Sequence, residues 1–394
     1  MKIKIQQFLG SNHSWSIVGQ NIARAIINHG HEVHLQSTNG YEHFPEDLKP
    51  YVKEELDKIY DMQIAYTALK NFCGLLSSGN KNRFGIWNYE TTILPTGFAK
   101  HHQFCDKMLP SSPFAKKIFV DNGIPESKLV TIPHGINVAE YSDTSKYNLK
   151  TNKSRKILAN IAQPHIRKNI GGMFESYGRA FTKNDDVCLV CKVSVKRINK
   201  NPKIQQKVKT NRAAKKLNQK LQQNKKTEQK SDKVMAFDID FWRIYDEFCR
   251  KFPNHAEVEI ITDFLPSMVP LYNSVDIVFS VTRTECFWLP GLEGMATNNL
   301  IIAPNWGGQL EYMNEENSLL ISGKEIRAPN EMQYWVSSPY AAMFDPNLDD
   351  AAEKLQISVK DYDSLLRKFK PGMQAQIQRL TWDNVTEQII NLAE

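Results

Sequence analysis

The 394-residue sequence lacks the long apolar segments that membrane proteins use. No stretch approaches the roughly 18 uninterrupted apolar residues from which a transmembrane helix is recognised. The first residues, MKIKIQQFLG, alternate lysine with isoleucine and do not form the apolar core of a secretion signal. We therefore expect a cytoplasmic protein that touches a membrane at most peripherally.

Cysteine is also scarce, with six in the whole chain. This number in a chain of this length does not indicate the disulfide framework of small secreted domains. Cys188 and Cys191 form a Cys-x-x-Cys pair within DVCLVCKVS. Such a pair can be half of a zinc site, but no second Cys/His pair at zinc spacing accompanies it. We interpret the two thiols as part of a buried strand and expect no metal.

Positive charge is concentrated in one segment. Residues 196–233 contain fourteen lysines and arginines and only two acids, whereas the whole chain has a net charge of +7. The segment is rich in Gln and Asn and has few apolar residues. We interpret it as a solvated helical or disordered insert. The alternative is a surface that binds nucleic acid or another anionic surface.

Short β-branched apolar runs alternate with helical stretches along most of the chain. The runs of the first half are KIKIQQF, EVHLQS, FGIWNYE, CDKMLPS and KLVTIPHGI. Those of the second half are RKILANIAQ, VCLVCKVS, VEIITDF, DIVFSVTRTE, LIIAPN and SLLISG. This alternation predicts an α/β protein with two mostly parallel sheets covered by helices.

The two series of strands predict two Rossmann-like domains that face each other across a cleft. A polar stretch without periodicity, residues 138–154, separates them and reads as the linker. We place the domains at 1–137 and 138–379, with the basic insert 196–233 inside the second. Ligands of such sheets bind at the carboxyl ends of the strands.

The segment TECFWLPGLEGMA, residues 284–296, places two carboxylates around an apolar turn. Glu285 ends the predicted strand DIVFSVTRTE, and Glu293 lies about one turn into a helix that Pro290 opens. The start of a helix is suited to a phosphate, and a carboxylate on either side is suited to sugar hydroxyls. The spacing alone leaves a structural alternative open, in which Glu293 only caps the helix.

This region resembles the paired-glutamate motif of retaining GT-B glycosyltransferases, particularly glycosyltransferase family 4. The similarity runs through ECFWLPGLEGMATNNLIIAPNWGGQLEYM. Further segments resemble the family in the same order along the chain: GHEVHL, MLPSSPFAKKIFVDNGIPESKLVTIPHGIN, IRKNIGGMFESYGRAF and RLTWDNVTEQIINL. The resemblance implies a GT-B fold whose closing helix, 380–394, crosses back to the first domain.

The resemblance also implies roles for single residues. Glu285 would contact hydroxyls of the donor sugar and act in catalysis, and Glu293 would hold the ribose of the nucleotide. Arg167 and Lys168 would neutralise a pyrophosphate whose charge grows as the glycosidic bond breaks. Apart from the motif, these two cations would read as an ordinary solvated pair. The donor-binding set is completed by Phe287, Trp288 and Leu289 at the start of the helix.

The first domain is expected to supply the acceptor side. In its loop GSNHSWSIVG, Asn12 is a candidate for donor binding and His13 for catalysis. Glu90, at the end of FGIWNYE, is another candidate catalytic group. Ordinary alternatives stay open for both: His13 as an incidental loop residue, and Glu90 as an acid at a helix start.

Two residues depart from the family pattern. Trp288 stands where the family has glycine, and its indole either narrows the sugar pocket or packs away from it as a core residue. Gln163 stands where an arginine is common at the end of the first strand of the second domain. Both departures concern the choice of donor.

The resemblance implies transfer of a sugar from a UDP- or GDP-linked donor to a hydroxyl of a glycan, lipid or other acceptor. The transfer would retain the anomeric configuration without a covalent enzyme intermediate, a cofactor or a metal. Two alternatives stay open: a nucleic-acid-modifying glycosyltransferase that uses residues 196–233, and a non-catalytic protein that binds nucleotide sugars.

Overall fold

The structure is a computed structural model that describes residues 1–10, 14–38, 40–41, 43–53, 59–76, 81–195, 239–328 and 340–393. The predictions for Asn12, His13 and the insert 196–233 lie outside these residues. Within them, no helix is both long enough and apolar enough to cross a membrane.

The first half of the chain forms a five-stranded parallel sheet in the order β2-β1-β3-β4-β5. Its strands are β1 (Lys2–Gln7), β2 (Glu32–Ser37), β3 (Met62–Tyr66), β4 (Arg83–Ile86) and β5 (Lys107–Met108). Its helices are α1 (Ser14–Asn28), α2 (Phe72–Leu75) and α3 (Pro113–Asp121).

The second half forms a six-stranded parallel sheet in the order β11-β10-β9-β6-β7-β8. Its strands are β6 (Arg155–Ala162), β7 (Val187–Val193), β8 (Glu257–Ile261), β9 (Ile277–Phe279), β10 (Leu300–Pro304) and β11 (Leu319–Ile321). An antiparallel ribbon follows, with β12 (Gly323–Arg327) and β13 (Ala342–Pro346). The helices are α4 (Ile170–Ala180), α5 (Phe241–Lys251), α6 (Val269–Tyr272), α7 (Leu289–Ala296), α8 (Leu348–Lys360), α9 (Tyr362–Arg379) and α10 (Trp382–Asn391).

These sheets confirm the predicted α/β class with two parallel sheets. Strand β7 shows why a nearly continuous apolar run indicates such a strand. All seven of its residues are buried, as in a sheet covered by helices on both faces. Cys188 and Cys191 lie within this strand. In the described part of the chain, no group of three or more potential metal-ligating side chains lies together.

Some predicted strands differ from the observed ones. KLVTIPHGI forms only isolated bridges, at Leu129 and Ile136. Its Pro133 has no N–H to contribute to a strand ladder. The strands predicted in FGIWNYE and DIVFSVTRTE end early, at Ile86 and Phe279, and the residues that follow them form loops.

The last helix returns to the first half of the molecule. The backbone amide of Ile136 donates to the carbonyl of Leu380 at 2.7 Å, and Asn82 Nδ2 donates to the carbonyl of Ala393 at 3.0 Å. Helix α10 packs against α1. The domain limits 1–137 and 138–379 stay a prediction.

Candidate functional site

The candidate site lies where the strand order of the second sheet changes direction. From β6 the chain proceeds outward to β7 and β8, whereas β9, β10 and β11 lie on the other side of β6. Such a switch point opens a crevice at the carboxyl ends of the two central strands. The loop after β6 carries Arg167 and Lys168, and the loop after β9 carries Glu285.

Glu285 is clamped between the two cations. Arg167 Nη1 lies 2.7 Å from Glu285 Oε2, and Lys168 Nζ lies 2.5 Å from Glu285 Oε1. The hydroxyl of Thr282 is 3.2 Å from the same Oε1. The loops are also tied through their backbones, because the amide of Arg283 donates to the carbonyl of Arg167 at 2.7 Å.

This arrangement keeps Glu285 ionised. Burial alone would raise the pKa of its carboxyl, but the adjacent charges of Arg167 and Lys168 lower it to about 2. The pKa of Arg167 is raised for the reciprocal reason, since Glu285 and Glu90 outweigh its burial. Glu285 is therefore an acceptor of hydrogen bonds at neutral pH and not a proton donor.

The Glu285 loop also contacts the first half of the molecule. Glu90 Oε1 is 3.3 Å from Arg167 Nη2, and the hydroxyl of Thr284 donates to the carbonyl of Glu90. The hydroxyl of Ser112 donates to the carbonyl of Cys286 at 2.7 Å. The structure thus brings Glu90 and Glu285 to opposite sides of one arginine.

Glu293 lies on α7 away from this ion cluster and is bound by a phenol. The hydroxyl of Tyr272 donates to Glu293 Oε2 at 2.6 Å, and the nearby Tyr141 also favours the ionised form of this carboxylate. Asn160 Nδ2 in turn donates to the hydroxyl of Tyr272 at 3.1 Å. Burial raises the pKa of Glu293 to about 7. Glu293 is thus more than a helix cap.

Trp288 has a backbone conformation that favours glycine. Its φ is 65° and its ψ 65°, in the left-handed region, at the residue that precedes α7. The hydroxyl of Tyr312 donates to the carbonyl of Trp288 at 2.6 Å. The indole is 5% exposed and lies against Gly291, where an added Cβ would be 2.5 Å from its ring. The side chain is therefore a core residue.

The neighbours of Trp288 differ in burial. Phe287 is buried, and its ring centroid lies 5.0 Å from that of His134. Leu289 is the first residue of α7 and is half-buried. Gln163 is exposed and pairs with His165, with 3.0 Å between Gln163 Oε1 and His165 Nε2, so it does not join the ion cluster.

Sequence reasoning missed several groups that complete the site. They are Thr282 beside Glu285, Asn160 and Tyr272, which form the hydrogen-bonded chain to Glu293, and Tyr141 near the same carboxylate. No local pattern marks these residues as polar contributors, since Tyr272 sits in a short apolar helix and Tyr141 in the stretch predicted as a linker. Only the packing of α6 against α7 brings Tyr272 to its carboxylate.

Comparison with solved structures identifies the architecture. A glycosyltransferase from Rickettsia africae ESF-5 has a TM-score of 0.65 at 15% identity, over 100% of this chain and 98% of its own. HepE from Anabaena, solved with UDP and glucose, has a TM-score of 0.65 at 12% identity, over 100% of this chain and 99% of its own. Sucrose-phosphate synthase from Thermosynechococcus elongatus has a TM-score of 0.62 at 13% identity, over 100% of this chain and 98% of its own.

No family model matches the chain, and no curated protein sequence matches it. At identities this low, the likeness to solved structures concerns the fold. Both chains are covered almost completely in each comparison, so both sheets and their connection are included. The chain has the GT-B fold.

Proposed function

We propose that this protein is a retaining glycosyltransferase, similar to family 4, that transfers a sugar from a nucleotide diphosphate sugar to a hydroxyl acceptor. One observation carries the proposal: Arg167, Lys168 and Glu285 meet at the switch point of the second sheet, directly before the start of α7. HepE, which shares the fold, was solved with UDP and glucose, and this supports a nucleotide-sugar donor. A cytoplasmic location stays a prediction.

The proposed donor lies along the carboxyl edge of the second sheet. Its diphosphate faces Arg167, Lys168 and the start of α7, where the positive end of the helix dipole favours an anion. Its sugar hydroxyls donate to Glu285, whose ionised carboxylate is a strong acceptor. Its ribose hydroxyls donate to Glu293.

In the transfer step the bond between the anomeric carbon and the diphosphate oxygen breaks as the acceptor oxygen bonds to the same face of that carbon. The acceptor proton passes to an oxygen of the departing diphosphate. The two cations stabilise the negative charge that this group gains. We propose no enzyme nucleophile and no metal, because Arg167 and Lys168 supply the positive charge.

A glycoside hydrolase would also use two carboxylates. They would flank the scissile bond and act as acid and base or as nucleophile. Here Glu285 lies before the start of α7 and Glu293 within that helix, so the two carboxylates flank a helix start suited to a phosphate. The geometry therefore favours transfer from a nucleotide sugar over hydrolysis.

The proposal is tested by separating binding from transfer. We expect Glu293→Ala to weaken the binding of UDP or GDP measured by calorimetry, and Glu285→Ala mainly to lower the rate of transfer from the preferred nucleotide sugar. Glu315→Ala, at an exposed position, is the matched control. Equal nucleotide affinity in wild type and Glu293→Ala would contradict the ribose assignment.

The donor itself is identified by a thermal-shift panel of UDP-, GDP- and ADP-sugars. A ligand that binds the native state raises its stability by about 2.7 kcal/mol at 100 times the dissociation constant. Absence of any shift across the panel, together with no transfer, would overturn the proposed function. Binding without transfer to any acceptor would favour the alternative of a non-catalytic nucleotide-sugar-binding protein.

A further inference from the structure

Lys192 is a buried cation that the proposed mechanism does not use. It is the penultimate residue of β7 and is 7% exposed. In the part of the chain that the structure describes, its Nζ has no hydrogen-bond acceptor and no carboxylate within ion-pair distance. Burial lowers the pKa of Lys192, and the nearby charge of Asp263 opposes this only in part. A largely buried lysine whose ammonium has no partner among the described residues has donors that a ligand could use.

The sheet register places Lys192 on the face of the donor site. Lys192 pairs with Asn160 of β6, and paired residues of neighbouring parallel strands point to the same face. Asn160 donates to Tyr272, and Tyr272 donates to Glu293. Lys192 therefore lies beside Asn160, the first member of the hydrogen-bonded series that ends at the carboxylate proposed to hold the ribose.

The order of these groups along the sheet edge matches the order of groups in a nucleotide sugar. Glu285 follows β9, the two cations follow β6, and Lys192 lies next to the last residue of β7, on the far side of β6. Neighbouring strands are about 4.8 Å apart, so β7 lies roughly 10 Å from β9. Sugar and diphosphate occupy the first part of this edge in the proposed function, and Glu293, proposed to hold the ribose, is linked to β6 through Tyr272 and Asn160. The next group of the donor is its base.

We propose that Lys192 donates a hydrogen bond to a keto oxygen of the donor's nucleobase and so selects uracil or guanine over adenine. An ammonium has three donors and no acceptor, so it recognises an acceptor atom. Uracil and guanine present keto oxygens, whereas adenine has none and presents an amino group. This inference rests on the proposed function, which supplies the position of the ribose.

The test compares Lys192→Met with wild type in calorimetric titrations with UDP, GDP and ADP. We expect wild type to bind UDP or GDP at least about tenfold more tightly than ADP, since a hydrogen bond to a charged group contributes about 10- to 100-fold. Lys192→Met should lose this factor for the preferred nucleotide and leave the ADP affinity unchanged. Lys156→Met, the same change at the amino end of β6, should alter none of the three affinities.

Other outcomes overturn the inference. If Lys192→Met weakens the binding of UDP, GDP and ADP equally, Lys192 contacts a phosphate and not the base. If none of the three affinities changes, Lys192 does not contact the nucleotide. If Glu293→Ala weakens nucleotide binding and Lys192→Met does not, the base contact fails while the proposed function stands. If wild type binds none of the three nucleotides, both fail.

Thermal unfolding without nucleotide gives a second readout. Because the change removes an unpartnered charge from a largely buried side chain, Lys192→Met should unfold at the wild-type temperature or above it. A lower unfolding temperature would assign the lysine a structural role and count against recognition of the base. Lys192→Gln, which keeps a polar end, is the substitute if the methionine variant does not fold.

Discussion

Glu293 links protonation to stability. Its pKa rises from an ordinary 4.5 to about 7 on folding because it is buried. Between these values the native state holds a proton that the unfolded chain has lost. The free energy of unfolding therefore falls as pH rises from about 4.5 to 7, by up to about 3 kcal/mol, and stays level above that range.

The neutral variant Glu293→Gln tests this linkage. We expect it to be more stable than wild type at pH 8, where wild type carries the buried charge, and to lose most of this advantage at pH 5. Urea unfolding of both proteins at the two pH values measures the difference. A stability gap that is the same at pH 5 and pH 8 would show that Glu293 titrates normally.

Trp288 combines a left-handed backbone with a buried indole, and two variants separate these effects. Trp288→Ala and Trp288→Gly both remove the indole and should each destabilise the protein by about 3–5 kcal/mol. Only glycine relieves the backbone strain at a φ of 65°. We expect the glycine variant to be the more stable of the two by about 1 kcal/mol. At an ordinary helical or extended position the order would be reversed.

At the scale of single residues, the sequence was a better guide to the candidate site residues than to the contacts that those residues make. The strand-to-helix spacing around Glu285 and Glu293 was informative because it is local. Lys168 lies 117 residues from Glu285, and no local pattern encodes such a contact. The position of the Trp288 side chain likewise depends on contacts outside the local pattern. Gly291 leaves room for the indole, and Tyr312 donates to the backbone carbonyl of Trp288.

Helix α3 shows how one element serves both halves of the molecule. Ser112 caps it by accepting from the amide of Ala115 at 3.2 Å, and its hydroxyl also donates to Cys286. We expect Ser112→Ala to lower the free energy of unfolding by about 2 kcal/mol, of which about 1 is the cap. Thr381→Ala, which removes the cap of α10 at Asn384, should lower it by only about 1 kcal/mol.

Chemical unfolding of both variants measures the difference. Equal losses would mean that the Ser112 hydroxyl contributes no more than an ordinary cap. The hydroxyl of Ser112 reaches the carbonyl of Cys286 only while the two halves are in contact. If an unfolding intermediate with separated halves does not show the extra loss of stability in Ser112→Ala, the extra stabilisation lies between the halves.

At the scale of elements, the periodicity of apolar residues predicted most strands. It failed for one short strand with a polar residue and for one segment in which a proline prevents strand pairing. The strand β3, MQIAY, was missed because it is short and its polar Gln63 interrupts the apolar run, although that side chain is fully buried. KLVTIPHGI was overpredicted because its β-branched composition outweighed Pro133. Helix α3, in contrast, is bounded by local signals: Ser112 caps it, Pro113 is its first residue, and Gly123 follows its end with a φ of 86°.

The two ends of the insert region lie close together in the whole molecule. The amide of Ser194 donates to the carbonyl of Ala162, and that of Ile239 donates to the carbonyl of Pro164, each at 2.8 Å. A short Gly/Ser linker can therefore replace residues 196–238. We expect the shortened protein to keep its unfolding temperature within a few degrees and its nucleotide affinity, because the described site draws on other segments.

The same variant tests the nucleic-acid alternative. If the basic insert grips phosphates, wild type should bind DNA with an affinity whose logarithm falls by about 0.9 per neutralised phosphate against the logarithm of salt. The shortened protein should then lose this binding. If the shortened protein still binds DNA, or if wild type does not bind DNA, a nucleic-acid function of the insert would be contradicted.

Residues 284–286 belong both to the proposed donor site and to the contact between the two halves of the molecule. The carboxylate of Glu285 faces the cations, while the neighbouring carbonyl of Cys286 holds Ser112. Substitutions in this loop are therefore expected to combine non-additively with changes on either side. Anyone redesigning the donor preference should leave this backbone intact and vary side chains that reach the donor from other strands.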